Sequence, residues 1–306
     1  MIGPRTHLTH DALLYRGGAE FLAATVPFLR DGLDQHHACV VAVQRHNAEP
    51  LRAALGRRAA DVTFLDRDAW YRRPAVTVQG WKRLLDEALE EGRTQVRIIG
   101  EVRFGPAERH ASWTRYESAL NAVFADAPAW IICPYDVDAM PAAVLRDARR
   151  THPELLTPVR APSADYQRPE DLLAAMPEPV RATAGPPTLD LRFGPSATHL
   201  RERVRAAARH LPQASRDALI IVVGEVAANS LRHGRGPRRA RLWLGPDGVV
   251  GEVTDHGSGP ADPLTGYRPP AGATARGWGL WVAHQLCDAL AIEHRDGLTR
   301  VRFALS

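Results

Sequence analysis

Runs of apolar residues alternate with amphipathic stretches over residues 10–156 of the chain. The apolar runs contain few polar positions, which is typical of strands covered on both faces of a buried, mainly parallel sheet. The stretches between them carry apolar residues at helical spacing. The pattern predicts a doubly wound α/β domain at 7–156. The predicted strands are 37–43, 61–65, 95–100 and 129–136, and the predicted helices are 22–33, 79–92 and 109–126.

The pattern changes in residues 157–188, where seven prolines are concentrated. Proline fixes φ and removes a backbone donor, so regular structure is hard to sustain there. We expect a short helix at 170–176 within this stretch. The composition predicts a linker between two domains.

A second pattern follows at 189–306, in which amphipathic helices precede strands with alternating polarity. In the last strand, Val301, Phe303 and Leu305 face one way, and the intervening residues face the other. These features predict a second α/β domain in which helices cover a sheet. The predicted helices are 198–211, 217–234 and 279–290, the predicted strands are 239–244 and 249–255, and a hairpin is predicted at 291–305.

Composition narrows the class of protein. The 306 residues suffice for two domains, and the net charge of +4 is carried by arginines spread along the chain, with no dense basic run. We therefore expect no direct DNA binding. No apolar run is long enough to span a membrane and no secretory leader is visible, so a cytoplasmic protein is expected. Three cysteines without CxxC spacing predict no disulfide, and we interpret Cys39 and Cys133 as inert buried thiols.

The helix predicted at 217–234 carries polar residues that share one face. Glu225, Asn229 and His233 stand four residues apart, so they are neighbours on a helix that is otherwise strongly apolar. Such a helix seldom carries a carboxylate and an amide unless something binds them. The alternative interpretation is a polar stripe at the edge of the domain.

Two glycine-containing motifs follow. Asp255 begins a DxGxGP sequence at the end of a strand, where Gly257 and Gly259 would let a ligand approach the backbone closely. Residues 276–280, Arg-Gly-Trp-Gly-Leu, open a helix whose free amide groups suit phosphates. The alternatives are a plain glycine-rich turn and a plain helix cap. No Walker loop occurs in the chain.

The order and spacing of ExxxN, DxGxGP and GxGL resemble the N, G1 and G2 boxes of the GHKL ATPases, over about 115 residues. The resemblance implies a Bergerat-type α/β sandwich at 189–306 that binds ATP and Mg²⁺. The short segment between the last two boxes, 261–276, makes the module most similar to RsbW-like anti-sigma factors and serine kinases.

The resemblance also implies a role for each matched residue. Glu225 would act as the general base, Asn229 would bind Mg²⁺, and Asp255 would accept a hydrogen bond from the adenine amine. His233 would support the phosphates, although a structural histidine at the helix end is an equal alternative. The remaining residues implied to contact the nucleotide are Gly257, Gly259, Arg276, Gly277, Gly279, Leu280 and Thr299.

The first domain is similar to the MEDS domain, a sensory domain of bacterial regulators. Its sequences HDALLYRGGAEFLAATVPFL, ACVVAV, IIGEVRF, SWTRYESALN and CPYD carry the resemblance over about residues 7–155. MEDS domains look like degenerate relatives of RecA/KaiC-type ATPases. Because Arg16-Gly17-Gly18 stands where a phosphate loop would, without its Lys and Ser/Thr, we expect no nucleotide hydrolysis in this domain.

Open α/β sheets bind ligands at the carboxyl ends of their strands. The sequence therefore predicts a sensing pocket formed by Arg16, Glu101, Trp113, Glu117 and Asp136, which would receive a small molecule or a protein signal. The alternative interpretation makes Trp113 a packing residue and Glu117 a surface residue.

The two resemblances together imply an ATP-binding regulator, in which the first domain senses a signal and the second controls a sigma factor. Control would come from binding the sigma factor, or from phosphorylating a serine on an anti-sigma antagonist. A sensor histidine kinase is an alternative, but His199 and His210 lie too close to the ATPase module to be phospho-acceptors on a separate helix. A non-catalytic module gated by ATP is another alternative, and a homodimer is possible by the GHKL resemblance.

Overall fold

The computed structural model describes residues 7–157, 159–260, 262–268 and 278–306. The chain divides into two compact units, one ending at Leu172 and the other beginning at Leu173.

The N-terminal unit is built on a seven-stranded sheet in the order β3-β2-β4-β5-β1-β6-β7. All neighbouring strands are parallel except β6 and β7. Its strands are β1 (Thr9–Tyr15), β2 (Ala38–Ala42), β3 (Thr63–Phe64), β4 (Val96–Gly100), β5 (Ala129–Asp136), β6 (Glu154–Thr157) and β7 (Val159–Pro162). Its helices are α1 (Gly17–Asp34), α2 (Arg45–Leu55), α3 (Arg67–Trp70), α4 (Pro74–Glu90), α5 (His110–Val123) and α6 (Ala142–Thr151), followed by α7 (Pro169–Ala175) at the boundary.

Both faces of this sheet are covered, as predicted for a doubly wound α/β unit. On one face, Leu13 of β1 and Ile132 of β5 pack with Phe21 of α1 and Leu51 of α2. On the opposite face, His10 of β1 contacts α5. Strand β1, between β5 and β6, was not among the predicted strands, because its sequence THDALLY begins with three polar residues that are nevertheless buried.

The proline-rich stretch is more regular than the predicted linker at 157–188. Strand β7 pairs antiparallel with β6 at the edge of the sheet, where a proline does not interrupt a ladder on both sides. The Arg160 side chain of β7 also forms an ion pair with Asp11 of β1, at 3.0 Å. The short helix expected at 170–176 is α7.

The C-terminal unit is an antiparallel five-stranded sheet in the order β11-β12-β10-β9-β8, packed against helices. Its strands are β8 (Leu189–Phe193), β9 (Arg238–Gly245), β10 (Gly248–Asp255), β11 (Ala289–Arg295) and β12 (Leu298–Leu305), and its helices are α8 (Thr198–Ala207), α9 (Gln213–His233) and α10 (Trp278–Leu286).

The core of this unit lies between the helices and one face of the sheet. Val301, Phe303 and Leu305 of β12 are buried there, as their alternation predicts. The predicted helix 279–290 is too long, because α10 ends at Leu286 and β11 begins at Ala289. Across the described ranges of both units, no helix is long and apolar enough to cross a membrane.

Candidate functional site

A cavity of about 630 Å³ opens in the C-terminal unit where α9, α10 and the end of β10 meet. Its volume lies within the range of about 300–1,000 Å³ that is typical of small-molecule sites. Of the predicted nucleotide-site residues, Arg276 and Gly277 lie outside the described residues. The others all line the cavity: Glu225, Asn229, His233, Asp255, Gly257, Gly259, Gly279, Leu280 and Thr299.

Helix α9 supplies the polar wall of the cavity. Glu225 and Asn229 are half-buried on it, and His233 is exposed at its last residue. At this end of the helix the Ser230 carbonyl accepts from the Gly234 amide at 2.8 Å, and Arg238 donates to the carbonyls of Ser230 at 3.1 Å and Gly234 at 3.0 Å. A cation at this end also suits the helix dipole. The polar face predicted from the four-residue spacing is therefore turned toward open space.

Two glycines allow the end of α9 to approach the loop after β10. A Cβ atom built on Gly257 would lie 2.8 Å from both the Gly234 Cα and the His233 carbonyl oxygen. A Cβ atom on Gly234 would lie 2.5 Å from Asp255 Cγ. These distances are far inside van der Waals contact, so only glycine fits at either position without displacing the carboxylate or the backbone.

Asp255 lies at the floor of the cavity, and only 6% of it is exposed. Its Oδ1 atom accepts a hydrogen bond of 2.7 Å from the Gly257 amide, and no described residue donates to its Oδ2 atom. Strand register places Asp255 beside Thr299, and Thr299 beside His294. Thr299 Oγ1 donates to the Gly257 carbonyl at 2.8 Å and lies 3.0 Å from His294 Nδ1. A row across three strands therefore fixes the loop that carries Gly257.

The first turn of α10 closes the opposite side. A Cβ atom on Gly279 would come within 2.5 Å of Glu225 Oε2, so the glycine lets this turn contact the α9 carboxylate. Leu280 is buried, whereas Trp278 is 41% exposed at the mouth of the cavity. The Trp278 ring meets the Trp281 ring edge to face, with centroids 5.2 Å apart.

Three cavity or neighbouring residues were missed by the sequence reasoning. Ser230 follows Asn229 and has a buried hydroxyl without a hydrogen-bond partner in the described part of the chain. Trp278 stands inside the third motif but was treated as a spacer. His294 is placed only by the hairpin register, and counting back from the turn at Asp296-Gly297 would have found it opposite Thr299.

The donor set of the cavity fits ATP with Mg²⁺. A carboxylate and an amide oxygen on one helix face are ligand types that Mg²⁺ accepts. A buried aspartate with one oxygen to which no described residue donates suits an exocyclic amine. Glycine-lined backbone suits the close approach of phosphates.

Of the residues predicted for the sensing pocket of the N-terminal unit, Arg16, Asp136 and Glu101 take part in local polar contacts. Arg16 is exposed and forms an ion pair with Asp138, whose amide also donates to Asp136 Oδ1 at 3.0 Å. Glu101 is buried and accepts from the amide of Gln44 at 2.9 Å. These groups are satisfied by their own neighbours.

Glu101 also affects a neighbouring hydroxyl. Asn47 bridges Glu101 and the Tyr15 hydroxyl with bonds of 3.2 Å and 3.0 Å. Burial, together with the nearby Glu101 carboxylate, raises the pKa of Tyr15 to about 12. The Tyr15 hydroxyl therefore stays protonated and holds this network together.

A separate depression of about 870 Å³ lies after β2 and β3, lined by charged residues that include Arg45, Glu49 and Arg67. None of the five residues predicted for the sensing pocket lines it.

Trp113 and Glu117 lie on α5, and both are buried. Trp113 packs in an aromatic group with Tyr71 and Tyr116, which agrees with the packing alternative for this residue. Glu117 is only 1% exposed, which contradicts the surface alternative for that residue.

Glu117 faces three side chains that the sequence reasoning did not connect with it: His10, Cys133 and His152. Burial acts to raise the pKa of Glu117, but the two buried imidazoles outweigh that effect and bring the pKa down to about 2. The carboxyl group is therefore ionised inside the unit.

Comparison with known families agrees with the division of the chain into two units. Residues 9–153 match the MEDS family, described as the methanogen/methylotroph, DcmR sensory domain. Residues 194–305 match the histidine kinase-like ATPase domain. A search of curated proteins finds no match to the chain. The chain thus combines an N-terminal MEDS domain with a C-terminal domain of the histidine kinase-like ATPase fold.

Proposed function

We propose that this chain is an ATP-binding regulator of the anti-sigma factor and serine kinase type, whose MEDS domain receives the signal. The observation that carries the proposal is the cavity where Glu225, Asn229, Asp255 and Gly279 converge on one space. The match of residues 194–305 to an ATPase domain supports the nucleotide. The RsbW-like specificity rests on motif resemblance and the short 261–276 segment, and is part of the proposal.

The cavity residues divide the work of phosphoryl transfer. Asp255 Oδ2 accepts a hydrogen bond from the adenine amine. Asp255 Oδ1 accepts one from the Gly257 amide, so the carboxylate is already oriented before the adenine ring binds. Asn229 would hold Mg²⁺, and the ion would supply neutralisation of the phosphate charge. Glu225 takes the proton from the attacking serine hydroxyl. Its position against Gly279 places that carboxylate beside the turn expected to cover the phosphates.

The first test is calorimetric titration of the full chain with ATP and Mg²⁺. Asp255→Ala and Asn229→Ala should each weaken binding by more than about 1.5 kcal/mol, roughly tenfold, because an adenine contact or a metal ligand is lost. The matched control is Asp247→Ala, because Asp247 is exposed in the turn between β9 and β10. If wild type binds no ATP, the C-terminal unit is better explained as a protein-binding module that uses no nucleotide.

The second test concerns chemistry. Glu225→Gln should keep ATP affinity within about threefold but lower phosphate transfer to a serine-containing antagonist about 10²–10⁴-fold, because general-base catalysis contributes that range. Glu202→Gln, an exposed residue of α8, is the control. If ATP changes the affinity of wild type for the sigma factor but wild type transfers no phosphate, the protein is a non-catalytic module gated by ATP and not a kinase. Transfer to a histidine instead of a serine would favour the histidine kinase alternative.

A further inference from the structure

Four side chains of metal-binding types meet inside the N-terminal unit, whereas the cavity described above belongs to the C-terminal unit. His10 lies on β1, Glu117 on α5, Cys133 on β5, and His152 directly after α6. One ligand atom of each lies within 4.8 Å of the corresponding atoms of the other three, and all four residues are buried. We call this set the His10–Glu117–Cys133–His152 cluster.

The measured separations suit a small tetrahedral ion. Glu117 Oε2 lies 3.2 Å from His10 Nε2 and 3.4 Å from His152 Nε2. Cys133 Sγ lies 3.3 Å from His10 Nε2 and 3.4 Å from Glu117 Oε2. Ligands bound tetrahedrally to Zn²⁺ at about 2.0–2.3 Å are separated by about 3.3–3.8 Å. The side chains therefore need only small movements to share one ion.

The second ring nitrogens of the two histidines fix where their lone pairs point. His152 Nδ1 lies 2.8 Å from the Ala148 carbonyl oxygen, which can only accept, so Nδ1 carries the hydrogen. His10 Nδ1 lies 3.0 Å from Asn121 Oδ1, and the Asn121 amide nitrogen donates to the Thr151 carbonyl at 2.7 Å. That donation sets the orientation of the Asn121 side chain, so His10 Nδ1 is also the donor.

With a hydrogen on each Nδ1, each Nε2 can bind a metal ion in place of a proton shared with Glu117. His152 Nε2 and Glu117 Oε1 are buried without a hydrogen-bond partner among the described residues. Cys133 Sγ donates to Glu117 Oε2 at 3.4 Å, and a metal ion that replaces this thiol proton would bind all four side chains at once. Ring nitrogens held by an outer carbonyl and an outer amide are also the usual second shell of metal-binding histidines.

Charge balance selects the kind of cation. One divalent ion, one carboxylate, one thiolate and two neutral imidazoles sum to zero, which suits a site where the side chains are almost fully buried. Without an ion, the same sum results from one extra proton shared between Glu117 and a histidine, with Cys133 as a neutral thiol, so a divalent ion would displace two protons when it binds. Nitrogen and sulfur ligands favour a borderline ion such as Zn²⁺ over Mg²⁺ or Ca²⁺, which prefer oxygen.

We propose that the N-terminal unit binds one Zn²⁺, or a similar borderline divalent ion, through His10, Glu117, Cys133 and His152. The ion ties β1, β5, α5 and the end of α6 together. Because His10, Glu117, Cys133 and His152 are 0–3% exposed, the ion enters during folding or by local opening, and its exchange is slow. The proposal is independent of the ATP cavity.

The test uses the full chain, purified without chelators and measured for zinc per chain, before and after incubation with excess Zn²⁺ and gel filtration. Wild type should hold about one zinc per chain. Cys133→Ser and His152→Asn should lose it, with affinity at least about 100-fold lower, because each removes a ligand. The matched control is Cys39→Ser, which removes another buried strand cysteine of the same unit and should keep the metal.

Cobalt substitution of wild type gives a readout that does not depend on folding of the variants. A thiolate-to-cobalt charge-transfer band with the visible spectrum of four-coordinate Co²⁺ is expected. Absence of zinc in folded wild type before and after incubation would overturn the proposal. Zinc retained unchanged in both Cys133→Ser and His152→Asn would overturn it as adventitious binding, and a cobalt spectrum without the thiolate band would do the same.

Discussion

Glu117 of α5 and Glu225 of α9 are both helix glutamates, but their surroundings are opposite. Glu117 is 1% exposed and is surrounded by side chains from three other elements of its own unit. Glu225 is half-buried, faces a cavity, and touches a glycine. A carboxylate in a low dielectric must be neutralised by partners the fold supplies, whereas one beside open space leaves that role to a ligand.

The same difference separates the two units. In the N-terminal unit the polar groups at the strand ends, such as Glu101, are satisfied by nearby amides, and the potential metal ligands are closed off. In the C-terminal unit Asp255 keeps one carboxylate oxygen without a partner among the described residues. An open oxygen is what recognition of a diffusing nucleotide requires, and a closed cluster is what a slowly exchanging ion tolerates.

The largest expected effect is on the stability of the N-terminal unit around Glu117. Glu117→Ala should reduce the local free energy of opening by about 3–5 kcal/mol, because buried groups lose their charged partner. Hydrogen exchange of the β1 and β5 amides, resolved by mass spectrometry, measures this without interference from the other unit. Glu108→Ala, an exposed glutamate close to α5, is the control. A loss below about 1 kcal/mol would mean that the cluster is not held by Glu117.

A smaller effect is expected where the open cavity depends on glycine. Gly234→Ala should weaken ATP binding by about 1–3 kcal/mol, because the added Cβ meets the Asp255 carboxyl carbon at 2.5 Å. Gly234 has φ −75°, so backbone strain does not contribute. Gly194→Ala, which adds a methyl group to empty space, is the matched control. Equal affinities for the two variants in calorimetry would contradict the close packing described for α9 and β10.

The smallest effect on ATP affinity is expected for Thr299, which lies between Asp255 and His294 across the sheet. Thr299→Val keeps the shape but loses the bond to the Gly257 carbonyl and the contact with His294. Such a bond contributes about 0.5–1.5 kcal/mol, so ATP affinity should fall roughly two- to twelvefold. Thr254→Val, on the opposite face of β10, should leave it unchanged. If Thr254→Val weakens ATP binding more than Thr299→Val does, the residues Thr299 and His294 do not position the adenine site.

The elements that follow simple polarity rules could be predicted from the sequence. Strand β5 was predicted at its observed bounds, 129–136, because it is apolar and covered on both faces. The buried side of β12 followed from alternation. Helix α9 was predicted four residues short at its start, because Gln213 to Arg216 carry little apolar signal.

Elements whose polar residues make tertiary contacts were not predicted. Strand β1 has His10 facing α5 and Asp11 paired with Arg160, and neither contact is visible in local pattern. Cys133 is buried, as predicted, but its contact with Glu117 at 3.4 Å could not be predicted from the local pattern. The partners of His10 and Asp11 are more than a hundred positions away, and such contacts leave no periodic signal.

The nucleotide-site prediction depended on motif order more than on pattern. Spacing placed Glu225, Asn229 and His233 on one face, and the described members of all three motifs line one cavity. Pattern alone did not indicate Ser230, whose buried hydroxyl becomes conspicuous only in three dimensions. The nucleotide roles of these residues stay predictions until binding is measured.

The contact between Gly234 and Gly257 has a consequence for inheritance. A side chain on Gly257 would meet the backbone of His233 and Gly234, and one on Gly234 would meet the Ser230 carbonyl and the Asp255 carboxylate, so neither position can acquire a side chain alone. A lineage that changes one of them must first move the other loop, and intermediate sequences would carry a distorted Asp255. Among descendants of this module, we expect positions 234 and 257 to stay fixed together or to change together.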